Sequence, residues 1–188
     1  MSFLHYIGLN RKVNTGEYTN GKYEVKDENE AKVIKFTDEL NNEGCIPLEQ
    51  IFDLTEIKES NIKTYETYED AASIYISDIP TESSNIKRHF NTAYVYQVSP
   101  NWGKFFISED LEKTNNSMYK TNRKCLLELF EFIRQNLIDT EKIEIYSCWI
   151  GEEEQSKNEE LSHGIKLDKW VLEKDFELKD KEYILIEK

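Results

Sequence analysis

The chain is predicted to adopt an α+β fold: a mainly antiparallel β-sheet covered on one face by a long amphipathic helix over about 117–137, with short helices besides. Three observations predict it. Short runs rich in β-branched and aromatic residues recur along the chain, and an Asn-Gly pair stands between two of them. One stretch alone, Leu126, Leu129, Phe130, Ile133 and Leu137, keeps apolar residues on a single helical stripe for several turns. A length of 188 residues suits a single domain, 1–188. The alternative is a subdivision into 1–77 and 93–188 around a polar loop at 78–92.

The elements follow in order. Phe3 to Leu9 is a short apolar segment of β-formers and reads as a strand. Glu17 to Val25 contains Asn20-Gly21 between alternating runs, the pattern of a type I′ hairpin, whose turn needs positive φ at both central positions. Ala31 to Thr37 alternates and predicts another strand. Pro47 ahead of Leu48, Ile51 and Phe52 predicts a short helix over about 47–54, since proline is tolerated at the first helical position. Tyr65 to Ala72 is expected to add a helical turn or two before a strand at Ser73 to Ser77.

Asp78 to Thr92, with Pro80, Ser83, Ser84 and Asn85, carries turn formers and reads as a linker or long loop. Ala93 to Ser99 and Lys104 to Ser108 read as strands, and Pro100-Asn101-Trp102-Gly103 between them suggests a second hairpin. The long helix follows, capped by Asn115, Asn116 or Ser117. Lys120, Arg123 and Lys124 near its start are expected to pair with carboxylates such as Glu128. Ile143 to Ile150 is apolar on both faces and is expected inside the sheet. Glu152 to Leu161 is polar, a loop or surface helix. Phe176-Glu177-Leu178, a turn at Lys179-Asp180-Lys181 and the apolar run Tyr183 to Ile186 close the sequence.

Charge is the chief clue to function. There are 37 Asp and Glu against 24 Lys and Arg, a formal net charge of −13. Such a chain repels polyphosphate and anionic lipid at long range, so nucleic acid and membrane are not expected as partners. A basic protein is. Scarce alanine (Ala31, Ala71, Ala72, Ala93) beside abundant Ile, Lys and Asn suggests AT-rich coding, as in a low-GC bacterium or its phage. Cys45, Cys125 and Cys148 are an odd number at wide spacing, which argues for free thiols in a reducing, cytoplasmic compartment. The first residues lack a basic stretch followed by a long apolar run, and no window is apolar enough to span a membrane.

No motif points to a cofactor. No His-x-x-His, Cys-x-x-Cys or Ca²⁺-loop pattern is present, and seven scattered glycines make no phosphate-binding loop. No flanking sequence around the cysteines or around His5, His89 and His163 matches a nucleophile signature. The segment Glu141 to Glu160 holds seven carboxylates, Glu141 and Glu144 among them, against Lys142 and Lys157. Trp149 together with Glu152, Glu153, Glu154, Glu159 and Glu160 is therefore the candidate partner-binding set: carboxylates steer encounter with a basic surface and an aromatic anchors it. The bland alternative is a core tryptophan beside a solvated acidic run. The expected function is a small binding module that neutralises a basic partner such as a toxin or nuclease, in the manner of an immunity or inhibitor protein. An enzyme or small-ligand protein with a site assembled from dispersed Glu, Tyr and His residues is the alternative.

Overall fold

A computed structural model describes residues 2–24, 33–36 and 62–188. The helix expected at 47–54, Cys45 and the flanks of the 31–37 strand lie outside the described residues. Among the described residues there are twelve strands: β1 (Phe3–Leu9), β2 (Gly16–Thr19), β3 (Lys22–Tyr23), β4 (Val33–Phe36), β5 (Ile62–Tyr65), β6 (Ser73–Asp78), β7 (Tyr94–Asn101), β8 (Phe106–Ile107), β9 (Ile143–Trp149), β10 (His163–Lys166), β11 (Phe176–Glu177) and β12 (Tyr183–Glu187). Helices α1 (Tyr68–Ala71), α2 (Glu109–Thr114) and α3 (Asn116–Asn136) join them, with a 3₁₀ helix at Thr81–His89.

Eight strands form one open sheet in the order β10-β12-β9-β1-β7-β6-β2-β3, antiparallel throughout except for the parallel β10–β12 pair at one edge. Strands β1 and β6, from the first half of the chain, thus pair with β7 and β9 from the second in one sheet. Separate two-stranded pairs join β4 to β5 and β8 to β11. The β2–β3 turn has Asn20 at φ 50° and Gly21 at φ 75°, the left-handed pair a type I′ turn requires. It is tied down from outside the hairpin: Asn20 N–H donates to Glu128 at 3.0 Å, and Gln135 Nε2 donates to the Gly21 carbonyl at 3.0 Å.

Helix α3 starts where Asn115 accepts a hydrogen bond from Met118 N–H, which satisfies one of the free donors of the first turn. Its buried residues, including Cys125, Leu126, Leu129, Phe130, Phe132 and Ile133, share one core cluster with alternate strand residues Ile7, Leu9, Ile74, Ile76, Val98, Ile143, Ile145 and Ile184. Trp170 stacks on Phe130 with ring centroids 3.5 Å apart. The intervening strand positions, Tyr6, Val95, Tyr146 and Cys148, point the other way into a second cluster with Ile86 of the 3₁₀ helix and with Phe90. Period-two alternation on strands buried from both sides produces this pair of cores.

Three expectations are corrected. β7 and β8 do not form a hairpin, because both edges of β7 are already occupied by β1 and β6; Trp102 at φ 65° turns the chain out of the sheet, and β8 pairs with β11 instead. The basic group on α3 does not pair with Glu128: Lys124 donates to the Asp70 carbonyl at 3.0 Å, while Glu128 serves Asn20. The segment 78–92 is not a plain loop, since nine of its residues form the 3₁₀ helix and Ile86 is fully buried.

That segment is latched to the sheet by Glu144. Its carboxylate, nearly inaccessible at 1% exposure, accepts from Asn91 N–H (2.9 and 3.1 Å to the two oxygens), Asn91 Nδ2 (3.0 Å), Thr92 N–H (2.9 Å) and the Tyr183 hydroxyl. Burial acts to raise its pKa, but the hydrogen bonds from Tyr183, Thr92 and Asn91 outweigh it and hold the carboxyl below its ordinary range. Gly8 lies beneath the same corner. A Cβ there would stand 2.2 Å from Thr92 Oγ1 and 2.5 Å from Phe90 Cδ1, so the close approach of the 90–92 corner depends on this glycine.

Candidate functional site

The register between β1 and β9 builds a cleft at one end of the sheet. It sets Phe3 opposite Trp149 and His5 opposite Ser147, and alternation places all four on the same face as Ile7 and Ile145. The consequence is a continuous row of rings. Phe3 packs on Trp149 with centroids 5.0 Å apart and edge-on against His5 at 4.9 Å, and His5 meets Phe105 at 5.0 Å.

Phe105 is delivered by the excursion that follows β7. Asn122 of α3 holds this excursion from both sides, accepting from Lys104 N–H at 2.8 Å and donating to the Phe106 carbonyl at 2.7 Å. Leu178 N–H then bonds the Phe105 carbonyl at 3.2 Å, and Lys181 N–H bonds the Ser147 carbonyl at 2.7 Å, which draws the segment after β11 across the opening. The result is a cleft of about 420 Å³ with aromatic walls, floored by His5 and rimmed by Lys104, Glu177 and Asp180. A second cleft of about 460 Å³ adjoins it, sharing Phe106 and Glu177, and is lined further by Trp170, His163, Glu173, Asp175 and Glu182.

His5 is 7% exposed, and Ser147 beneath it is 1% exposed. Burial pulls the imidazole down to about 3, so it is neutral at pH 7. His5 Nδ1 lies 2.8 Å from Ser147 Oγ. Which of the two donates is set by the ring tautomer. Nε2 has no hydrogen-bond partner among the described residues. His5 thus offers the cleft one unpartnered polar ring nitrogen. It is poorly suited as a general base at neutral pH, and Ser147, covered by the imidazole, is not placed to attack a ligand in the cleft.

Of the sequence-predicted set, Trp149 is in this cleft, 37% exposed, with Ile150 beside it at 50%. The glutamates are elsewhere. After Trp149 the chain turns at Gly151 (φ 86°), and the loop runs toward the 3₁₀ helix. Glu152 pairs with Lys181 at 3.2 Å, Glu153 is buried with its carbonyl accepting from His89 Nε2 at 2.8 Å, and Glu154 accepts from Asn85 Nδ2 at 2.5 Å. Glu159 and Glu160 are exposed in the turn before β10. The carboxylates that share the cleft with Trp149 are instead Glu177 and Asp180. Sequence reasoning missed these two together with Phe3, His5 and Phe105, since no local pattern links segments 142 residues apart.

Among the described residues, no group of three or more His, Cys, Asp or Glu side chains is placed to hold a metal ion, and no helix is long and apolar enough to cross a membrane. Comparison of the chain with protein-family models, with curated proteins and with solved structures finds no match in any of the three.

Proposed function

We propose that the chain is a cytoplasmic, single-domain binding module that occupies and neutralises a basic protein partner, in the manner of an immunity or inhibitor protein, on an α+β scaffold whose sheet is covered on one face by α3. The observation that carries this reading is the half-exposed Trp149 standing over an open cleft whose rim holds two carboxylates and one lysine, in a chain of net charge −13. Carboxylates raise the rate of encounter with a basic surface, and a desolvated aromatic anchor slows escape. Glu154, Glu159 and Glu160 are exposed and add to the steering field, whereas Glu152 and Glu153 are engaged within the fold.

The test is a pull-down from lysate of cells that naturally make the protein, at low and at high salt, followed by binding kinetics with whatever basic protein is recovered. Replacing Glu154, Glu159 and Glu160 together by Gln is expected to slow association and flatten its salt dependence, with dissociation little changed. Trp149→Ala is expected to speed dissociation instead. Recovery of no salt-sensitive basic protein, or rates indifferent to both changes, would overturn the reading. The unpartnered His5 Nε2 favours a second reading, a small-ligand protein using the same cleft. That reading predicts saturable binding of a metabolite-sized compound in the absence of any protein partner.

A further inference from the structure

Resting on the proposed binding of a basic partner, we infer that the cleft between β1, β9 and the 104–106 segment is an arginine-recognition site, receiving one arginine side chain of that partner together with its adjoining main chain. Four features of the cleft point to a guanidinium. The row Trp149–Phe3–His5–Phe105 offers ring faces and edges along one wall, and a planar, weakly hydrated cation stacks on such faces better than an ammonium does. Two carboxylates stand on the rim against one lysine, so the opening favours positive charge. Asp180 is only loosely paired within the fold, its Oδ2 3.7 Å from Lys181 Nζ. A rim carboxylate held so loosely suits the N–H fork of a guanidinium.

The fourth feature is the imidazole on the floor. A lone guanidinium would bring no main chain to meet His5 Nε2, whereas an arginine within a peptide brings main-chain N–H and C=O groups, one of which pairs with that nitrogen in either tautomer. The volume, about 420 Å³, is that of a site for a residue and its flanking backbone. Continuity supports the same occupant. The neighbouring cleft, which shares Glu177, adds Glu173, Asp175 and Glu182 against Lys179, an excess of carboxylates where the basic residues flanking the arginine would lie.

The experiment uses the full chain and three capped peptides, acetyl-Gly-Xaa-Gly-amide with Xaa arginine, lysine or citrulline, titrated into the millimolar range and followed by NMR. The arginine peptide is expected to shift the Trp149 indole N–H and the Phe3 and His5 amides saturably. The citrulline peptide, isosteric but uncharged, should bind about tenfold more weakly or less, with lysine between them. Asp180→Asn is expected to weaken the arginine peptide severalfold while leaving the amide spectrum elsewhere intact. Glu177→Gln provides the same test should Asp180→Asn disturb the 179–182 turn. Equal binding of arginine and citrulline, or no saturable shift at Trp149, would overturn the inference. So would arginine binding indifferent to both carboxylate variants. A basic partner whose binding survives Asp180→Asn and Glu177→Gln but falls with Glu154, Glu159 and Glu160 would overturn the arginine site and leave the wider reading standing. Arginine-peptide binding without any basic partner would do the opposite.

Discussion

Replacing Glu144 by Gln isolates the latch that holds the 90–92 corner against the sheet. The change keeps the size of the side chain and removes its charge. Four donors converge on the carboxylate: Asn91 N–H, Asn91 Nδ2, Thr92 N–H and the Tyr183 hydroxyl. Bonds to a charged acceptor contribute about 1.5–3 kcal/mol each, and the amide retains one acceptor oxygen while turning its NH₂ toward donors. A loss of about 2–4 kcal/mol at pH 7 is therefore expected, a large share of the roughly 5–15 kcal/mol that stabilises a domain. The sign of the pH dependence follows from the lowered pKa. In the unfolded chain the carboxyl binds its proton near the ordinary value of 4.5, and in the folded protein it does so only at lower pH. The stabilisation is thus complete above the unfolded value and lost as pH falls from there through the folded one. Urea unfolding of both proteins at pH 7 and at about pH 3.5 should show a gap that narrows in acid. Equal midpoints at pH 7, or a gap unchanged at the lower pH, would refute the latch.

Three further outcomes are expected. Phe130→Ala, which removes a ring packed between Trp170 and Phe176 in the core, should cost about 3–5 kcal/mol in denaturant unfolding. Glu131→Ala, one residue on and tied only to exposed partners, should stay within about 0.5 kcal/mol of the parent. Cys125 and Cys148 are free and buried, and burial pushes both thiols up to about 12, so a thiol reagent at neutral pH should modify neither in the folded protein and both after denaturation.

Local signals made much of the sheet legible. Asn20-Gly21 announced its hairpin because only a left-handed pair of residues closes that turn. The runs at Phe3–Leu9 and Ile143–Trp149 announced strands because both faces are apolar, as a position inside the sheet demands. What local pattern could not carry was pairing. β8 finds β11 nearly 70 residues later, and β10 joins β12 in parallel, with neither partner marked by a turn between them. The candidate site divides along the same line. Trp149 was picked out by the sequence and does line the cleft, but its neighbours in sequence, the glutamates from Glu152 onward, are carried off by the turn at Gly151. Its neighbours in space, His5, Phe105 and Asp180, come from register and from the β8–β11 pairing.

The position of β1 also sets a timetable for folding. This strand precedes every other described strand, yet it lies between β7 and β9, and the residue opposite His5 follows it by 142 positions. At roughly 5–20 residues per second, a ribosome takes on the order of 7–30 s to supply that partner. Until β7 is made this apolar segment has both edges open, and until β9 is made it keeps one of them open, the situation in which nascent chains recruit chaperones or associate with one another. The middle of the sheet, and the cleft built on it, therefore closes only after β9 has left the ribosome.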